Sequence, residues 1–113
     1  MESSTVIEAL SALAQEHRLA AFRQLVQAGE NGMPAGAIAA ALGIPNSSLS
    51  FHLAQLRSAG LIEQERRHRS LIYRANYPAM NALLGYLTEN CCAGAGCEAE
   101  AACAEPIIER KSA

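Results

Sequence analysis

The sequence predicts a mainly α-helical chain with a small β-hairpin, arranged as a homodimeric winged helix-turn-helix. Three observations carry that expectation. Residues 46–60 read as a helix with a leucine stripe on one face and small hydroxyls on the other. A short helix and a glycine-containing turn, Leu42-Gly43-Ile44-Pro45, stand directly before it. After Gly60 the hydrophobic period changes from helical to alternating, as a hairpin requires.

Taken in order, Thr5-Val6-Ile7-Glu8 fits a capping box, with Thr5 as N-cap and Glu8 at N3. The first helix then carries Val6, Ile7, Leu10, Leu13 and Ala14 on one stripe. A second helix starts near Gln15-Glu16 and runs to Ala28, burying Leu19, Phe22, Leu25 and Val26. His17 at its start reads as a surface residue rather than a ligand, because no His or Cys lies near it in sequence. Gly29-Glu30-Asn31-Gly32 closes this helix. Pro34 suits the first position of a third helix, with Ile38, Ala41 and Leu42 spaced along one face.

In the fourth helix, Leu49, Leu53 and Leu56 face inward, and Ser47, Ser50, Phe51, Ala54 and Ser58 face outward. Glu and Lys would serve solubility better and are stronger helix formers. Small hydroxyls and one aromatic ring suit close approach to base edges and thymine methyl groups in a DNA groove. An ordinary helical hairpin in a bundle is the plainer alternative. Gly60 supplies the stop, in the left-handed conformation. Two strands follow, residues 61–66 and 69–75, with Arg67-His68-Arg69 at the tip. A hairpin placed after a helix-turn-helix is a wing, and a basic tip suits phosphates or the adjacent minor groove. The candidate DNA contacts are therefore Asn46, Ser47, Ser48, Ser50, Phe51 and His52 of the helix and Arg67, His68 and Arg69 of the tip. Tyr77-Pro78 opens a last helix, with Pro78 at its first position and Met80, Leu83, Leu84 and Leu87 on one stripe. So small a domain cannot bury this stripe and that of the first helix together. A homodimer seam would cover them, and its two-fold axis would match a palindromic operator in double-stranded DNA.

With 113 residues, the chain has room for one domain with a single core. Half of it is hydrophobic but only 4% aromatic, so the core must be Leu, Ile, Val and Ala. No apolar run approaches the roughly 20 residues that span a bilayer. Met1-Glu2-Ser3-Ser4-Thr5 lacks the basic start of a signal peptide, so the expected location is cytoplasmic, with no membrane partner. The net charge of −2 is unevenly spread. Residues 57–74 hold five Arg against two Glu, and the acidic excess sits in the tail. Arg forks onto phosphate and guanine in a way that Lys does not. No nucleophile–base pair or phosphate loop is present, and the three His, at 17, 52 and 68, are scattered, so an enzyme is not expected and no organic cofactor is implied.

All four cysteines fall between Cys91 and Cys103, which divides the chain into a DNA-binding and dimerisation domain, 1–90, and a cysteine-containing tail, 91–113. Such clustering points to metal binding or redox chemistry. Cys91 and Cys92 are adjacent, and the Ala93-Gly94-Ala95-Gly96 link lets Cys97 fold back on them. Three thiolates on one soft centre suit trivalent arsenic or antimony. Adding Cys103 would make a four-thiolate zinc or cadmium site. A redox pair such as Cys92 and Cys97 is a further reading, and a metal-buffering protein would rest on the tail alone.

The run from Leu42 to Leu61, with Ser50, His52-Leu53, Leu56 and Ala59-Gly60-Leu61, resembles the recognition segment of the ArsR/SmtB family of metalloid- and metal-sensing repressors. The likeness extends from the first helix through the last. It implies a homodimer pairing through those two helices, and a repressor that leaves operator DNA when its inducer binds. Many members carry a Cys-x-Cys sensor in the helix before the turn, whereas residues 33–42 here contain no Cys. The tail is similar to that of arsenite-responsive members with a C-terminal Cys-Cys…Cys. The resemblance thus implies trivalent arsenic as inducer, held by Cys91, Cys92 and Cys97, with zinc-, cadmium- or redox-responsive repression as the alternative.

Overall fold

The computed structural model describes residues 1–91. Met1–Leu83 forms one compact unit, and a second begins at Leu84. The elements are α1 (Ser3–Leu13), α2 (Glu16–Ala28), a 3₁₀ turn (Gly29–Asn31), β1 (Met33–Pro34), α3 (Ala35–Leu42), α4 (Asn46–Ser58), β2 (Ile62–Arg67), β3 (Ser70–Ala75) and α5 (Tyr77–Leu87). This is the mainly helical winged architecture expected from the sequence. Among the described residues, no helix is long and apolar enough to cross a membrane.

The core is aliphatic with one ring. Leu25, Ile38, Leu49, Leu53, Leu56 and Leu61 are its largest fully buried side chains, and Phe22, Ala75 and Leu83 join them. The leucine stripe of α4 is buried as its periodicity predicts. The stripe assigned to α1 lies partly outside the core, as a stripe that one subunit cannot bury should. Val6, Ala9 and Ala12 are buried and Leu13 packs against them, while Ile7 and Leu10 are exposed. Alanines on the inner face let α1 approach closely, and the bulkier Ile7 and Leu10 are left outside. In α2, Ala21 takes the buried place expected of Leu19, which is exposed.

Helix ends differ from expectation in a similar way. The Thr5 capping box does not form. The helix begins earlier, with Glu2 as N-cap and no side-chain cap, and Val6 N–H donates to the Glu2 carbonyl at 3.0 Å. Gln15 caps α2, its Oε1 accepting from the N–H groups of His17 at 2.9 Å and Arg18 at 3.0 Å. Pro34 is the N-cap of α3 rather than its first residue. Asn76 caps α5, its Oδ1 accepting from Ala79 N–H at 3.2 Å while its Nδ2 donates to the Gly60 carbonyl at 3.0 Å. That places Pro78 second in the helix, not first.

The sheet has three strands in the order β1-β3-β2, one more than the sequence predicts. In the antiparallel β1–β3 pair Met33 faces Tyr73 and Pro34 faces Ile72. Gly32, just before β1, has φ of 67° and lies against β3, where a Cβ would overlap the Tyr73 carbonyl oxygen and the Ile72 side chain. Gly32→Ala is therefore expected to cost about 2 kcal/mol or more, through both the left-handed backbone and the overlap. Urea denaturation checks this, and an unchanged midpoint would contradict the close approach.

Candidate nucleic-acid interface

The helix that faces outward is positioned by its own ends. The turn Gly43–Pro45 delivers the chain to α4, whose N-cap is Pro45 with no side-chain cap. The first N–H groups of α4 therefore keep their donors available at the positive end of the helix dipole, an arrangement that favours an anion such as phosphate. At the other end, Gly60 has φ of 78°; its N–H donates to the Arg57 carbonyl at 2.9 Å, and Leu61 N–H donates to the Leu56 carbonyl at 3.0 Å. This paired closure is a Schellman motif, and it turns the chain directly into β2.

Asn46, Ser47, Ser48, Ser50 and Phe51 are all exposed on α4, with Phe51 59% exposed. A phenyl ring left in water on a helix whose other face is fully packed is costly unless something covers it. His52 is different. Its ring is half-buried, its Nδ1 is fully buried without a hydrogen-bond partner among the described residues, and its centroid lies 5.6 Å from that of His17. His17 is itself half-buried, not the plain surface residue expected. Burial, then the positive Arg18, then His17 push the His52 imidazole below its ordinary range. His52 thus sits between α4 and the start of α2 as a neutral ring, while its neighbours on α4 face solvent.

The sign of this shift sets a pH dependence. The folded state holds the His52 proton less well than the unfolded chain, so its stabilising contribution is present above the unfolded value of 6.5 and is lost as pH falls from there towards the folded value. The expected result is a larger drop in melting temperature between pH 7 and pH 5 for the natural chain than for His52→Gln. Equal drops would mean that His52 is not the group titrating.

In the wing, Arg67 pairs with Ser70 across the strands, so the two-residue tip is His68-Arg69, one residue beyond the predicted strand end. His68 takes the left-handed position there, with φ of 57°. Residues 63, 65 and 67 share one face of β2. On that face Glu65 bonds Arg74 and also accepts from Arg67 at 3.4 Å, while Glu63 lies 3.5 Å from Arg74. The Arg74 hydrogen bond, then Arg67, hold the Glu65 carboxyl below its usual range, and Arg74 is raised in turn. Arg67 is consequently engaged within the wing. Arg66, on the opposite face, and Arg69 at the tip are exposed and have no ion-pair partner among the described residues. Arg66 was not among the residues singled out in the sequence; its i, i+2 offset from Gln64, against the Glu63-Glu65-Arg67 face, is the signal that distinguishes it.

Cys91 is half-buried, and its N–H donates to the Thr88 carbonyl at 3.0 Å. Cys92, Cys97 and Cys103 lie outside the described residues, as does the rest of the tail. Among the described residues, no cluster of three or more His, Cys, Asp or Glu is placed to hold a metal ion.

Residues 13–65 match the helix-turn-helix domain family HTH_20, a span that runs from the end of α1 into β2. Over 83 residues the chain is 31% identical to the HTH-type transcriptional regulator YgaV of Escherichia coli, covering 74% of this chain and 82% of that one. Over 80 residues it is 34% identical to the nodulation protein NolR of Rhizobium meliloti, covering 71% of this chain but only 63% of that protein's length. Its fold is similar to the homodimeric winged helix-turn-helix DNA-binding domain Mb0332 of Mycobacterium bovis, a possible ArsR-family transcriptional regulator. The TM-score is 0.61 and the identity 29%, over 77% of this chain and 81% of that one. Together with the outward face of α4 and the wing beside it, these relationships place the chain among the helix-turn-helix transcriptional regulators, the family to which it belongs, with a winged fold like that of a possible ArsR-family regulator.

Proposed function

We propose that the protein is a homodimeric repressor that binds palindromic operator DNA and is released when trivalent arsenic, or antimony, binds Cys91, Cys92 and Cys97. The outward face of α4 carries the DNA half of this reading. Ser47, Ser50 and Phe51 are exposed together, opposite a fully buried leucine stripe. They are small enough, or apolar enough, to meet base edges and a thymine methyl in the major groove. Dimerisation is supported by apolar residues left outside the core, Leu10 on α1 and Leu84 and Leu87 on α5. The inducer rests on the three thiolates that the tail can bring together. Trivalent arsenic keeps a lone pair and is satisfied by three soft ligands.

The test is an electrophoretic shift on a palindromic operator, followed by release titrated in parallel with arsenite, methylarsenite, antimonite, cadmium and zinc. Release by the arsenic and antimony species alone supports the reading. Release by cadmium or zinc instead would favour a four-thiolate site that includes Cys103, and the absence of sequence preference would remove the repressor.

The wing makes a further prediction. Arg69→Ala is expected to weaken binding to all sequences alike and to reduce the salt slope by about one unit. Arg67→Ala is expected to have the smaller effect, since Arg67 must leave Glu65 to reach a phosphate. Ser50→Ala is expected mainly to relax base preference. Salt-dependent binding to operator and scrambled DNA separates these outcomes, and a larger effect of Arg67 than of Arg69 would contradict the ordering.

A further inference from the structure

A groove of about 460 Å³ opens between α1, the start of α2 and the end of α4. That volume falls within the range of small-molecule sites. Its walls carry two opposite charges, Glu8 of α1 and Arg18 of α2, which do not pair with each other or with any other ion among the described residues. Arg18 is half-buried and is held in place by its Nε, which donates to the Ala12 carbonyl at 2.7 Å. The rest of its guanidinium has no hydrogen-bond partner among the described residues. Ser11, Gln55 and Ser58 add hydrogen-bonding side chains to the lining, and Ile7 adds an aliphatic wall that is 62% exposed. A fixed cation, a separate anion, amide and hydroxyl groups and an aliphatic surface thus converge on one concavity.

We propose that this groove is an effector site for a small zwitterion of the aliphatic amino-acid class, with its carboxylate on Arg18, its ammonium on Glu8 and its side chain against Ile7. None of the residues lining the groove is a cysteine, and binding to it does not depend on the arsenic reading. A dicarboxylate is disfavoured by Glu8 and a diamine by Arg18. The forked donors of Arg match a carboxylate in shape as well as charge. Because Gln55 and Ser58 belong to the last turns of α4, an occupant bridges α1 to the helix that faces DNA. Arg18 is also one of the charges that disfavour the His52 imidazolium. A carboxylate on Arg18 offsets that charge, so the occupied site lets His52 titrate at higher pH.

The experiment uses the full chain, isotope-labelled for ¹H–¹⁵N spectroscopy, with L-leucine as probe. The expected result is saturable shifts at Ser11, Arg18, Gln55 and Ser58, with a Kd of about 1 mM or tighter. 4-Methylpentanoate, which lacks the ammonium, and 3-methylbutylamine, which lacks the carboxylate, should each bind at least about tenfold more weakly, as loss of a hydrogen bond to a charged group implies. Glu8→Gln should weaken leucine by a similar factor. Glu8 is exposed and makes no hydrogen bond or ion pair among the described residues, so this variant tests the site without loosening Arg18 from Ala12. The His52 imidazole resonances should titrate upward with leucine present. Absence of shifts at these residues, or equal binding of the three probes, overturns the proposal.

Discussion

Leu83→Glu is expected to unfold the protein, whereas Leu87→Glu is expected to leave it folded. The sequence puts both residues on one stripe of the last helix, and both look like seam positions. The structure separates them. Leu83 is 5% exposed and belongs to the core, while Leu87, one turn and about 6 Å further along the axis, is 54% exposed. A carboxylate at position 83 forfeits about 1.5–3 kcal/mol of side-chain burial and adds the cost of an unpaired polar or charged group in an apolar site. The sum of about 4 kcal/mol or more is a large part of the roughly 5–15 kcal/mol that holds a domain together. Circular dichroism should show Leu83→Glu with little helix or a far lower melting temperature. Leu87→Glu should keep its helix and lose only association, read by sedimentation. A Leu83→Glu variant as stable as the natural chain would remove Leu83 from the core, and a dimeric Leu87→Glu would remove Leu87 from the seam.

The contrast shows what periodicity can convey. It identifies a face, but not how far along the helix the core extends beneath it. The α4 stripe was legible because Leu49, Leu53 and Leu56 are all large, and the opposite face is all small or polar. On α1 the larger Ile7 and Leu10 remain outside, as a stripe that one subunit cannot bury should, while the inward Ala9 and Ala12 are hidden from periodicity by their small size. Size ranked the residues for burial, whereas close helix approach selected the small ones. Strand β1 was hidden because two residues hold no alternation, and its partner Tyr73 lies 40 positions away in the chain. His52 sits between the exposed Phe51 and the buried Leu53 on α4. Its inward ring meets His17 of another helix, a contact that the α4 periodicity does not contain. Its charge and its place near the wing tip alone mark Arg67 as a phosphate ligand. Its pairing with Glu65 follows from strand alternation, and the further competition from Arg74 follows from the hairpin register.

On the proposed reading, Cys91→Ser, Cys92→Ser and Cys97→Ser should each abolish arsenite-driven release from operator DNA, while Cys103→Ser should respond as the natural chain does. Coordination number is the reason. Three thiolates complete a trivalent arsenic centre, and replacing one leaves two sulfurs and a hard oxygen that binds a soft centre poorly. Operator affinity without arsenite should survive all four changes, because the cysteines follow the helix-turn-helix and the wing in the chain. That separation makes the experiment diagnostic, since a variant that merely misfolds would lose DNA as well. Coupling to DNA would run through the last helix, because Cys91 follows α5 by a single turn in which its N–H meets the Thr88 carbonyl. Closing thiolates around arsenic would pull on that turn, and a seam helix displaced by about 1–2 Å is enough to shift a two-state dimer. The required coupling is modest, about 1–3 kcal/mol, or roughly 5–150-fold in operator affinity. Release curves for the four single variants decide the matter. Loss of response in Cys103→Ser would replace the three-thiolate site with a four-thiolate metal site, and a normal response in Cys97→Ser would overturn both.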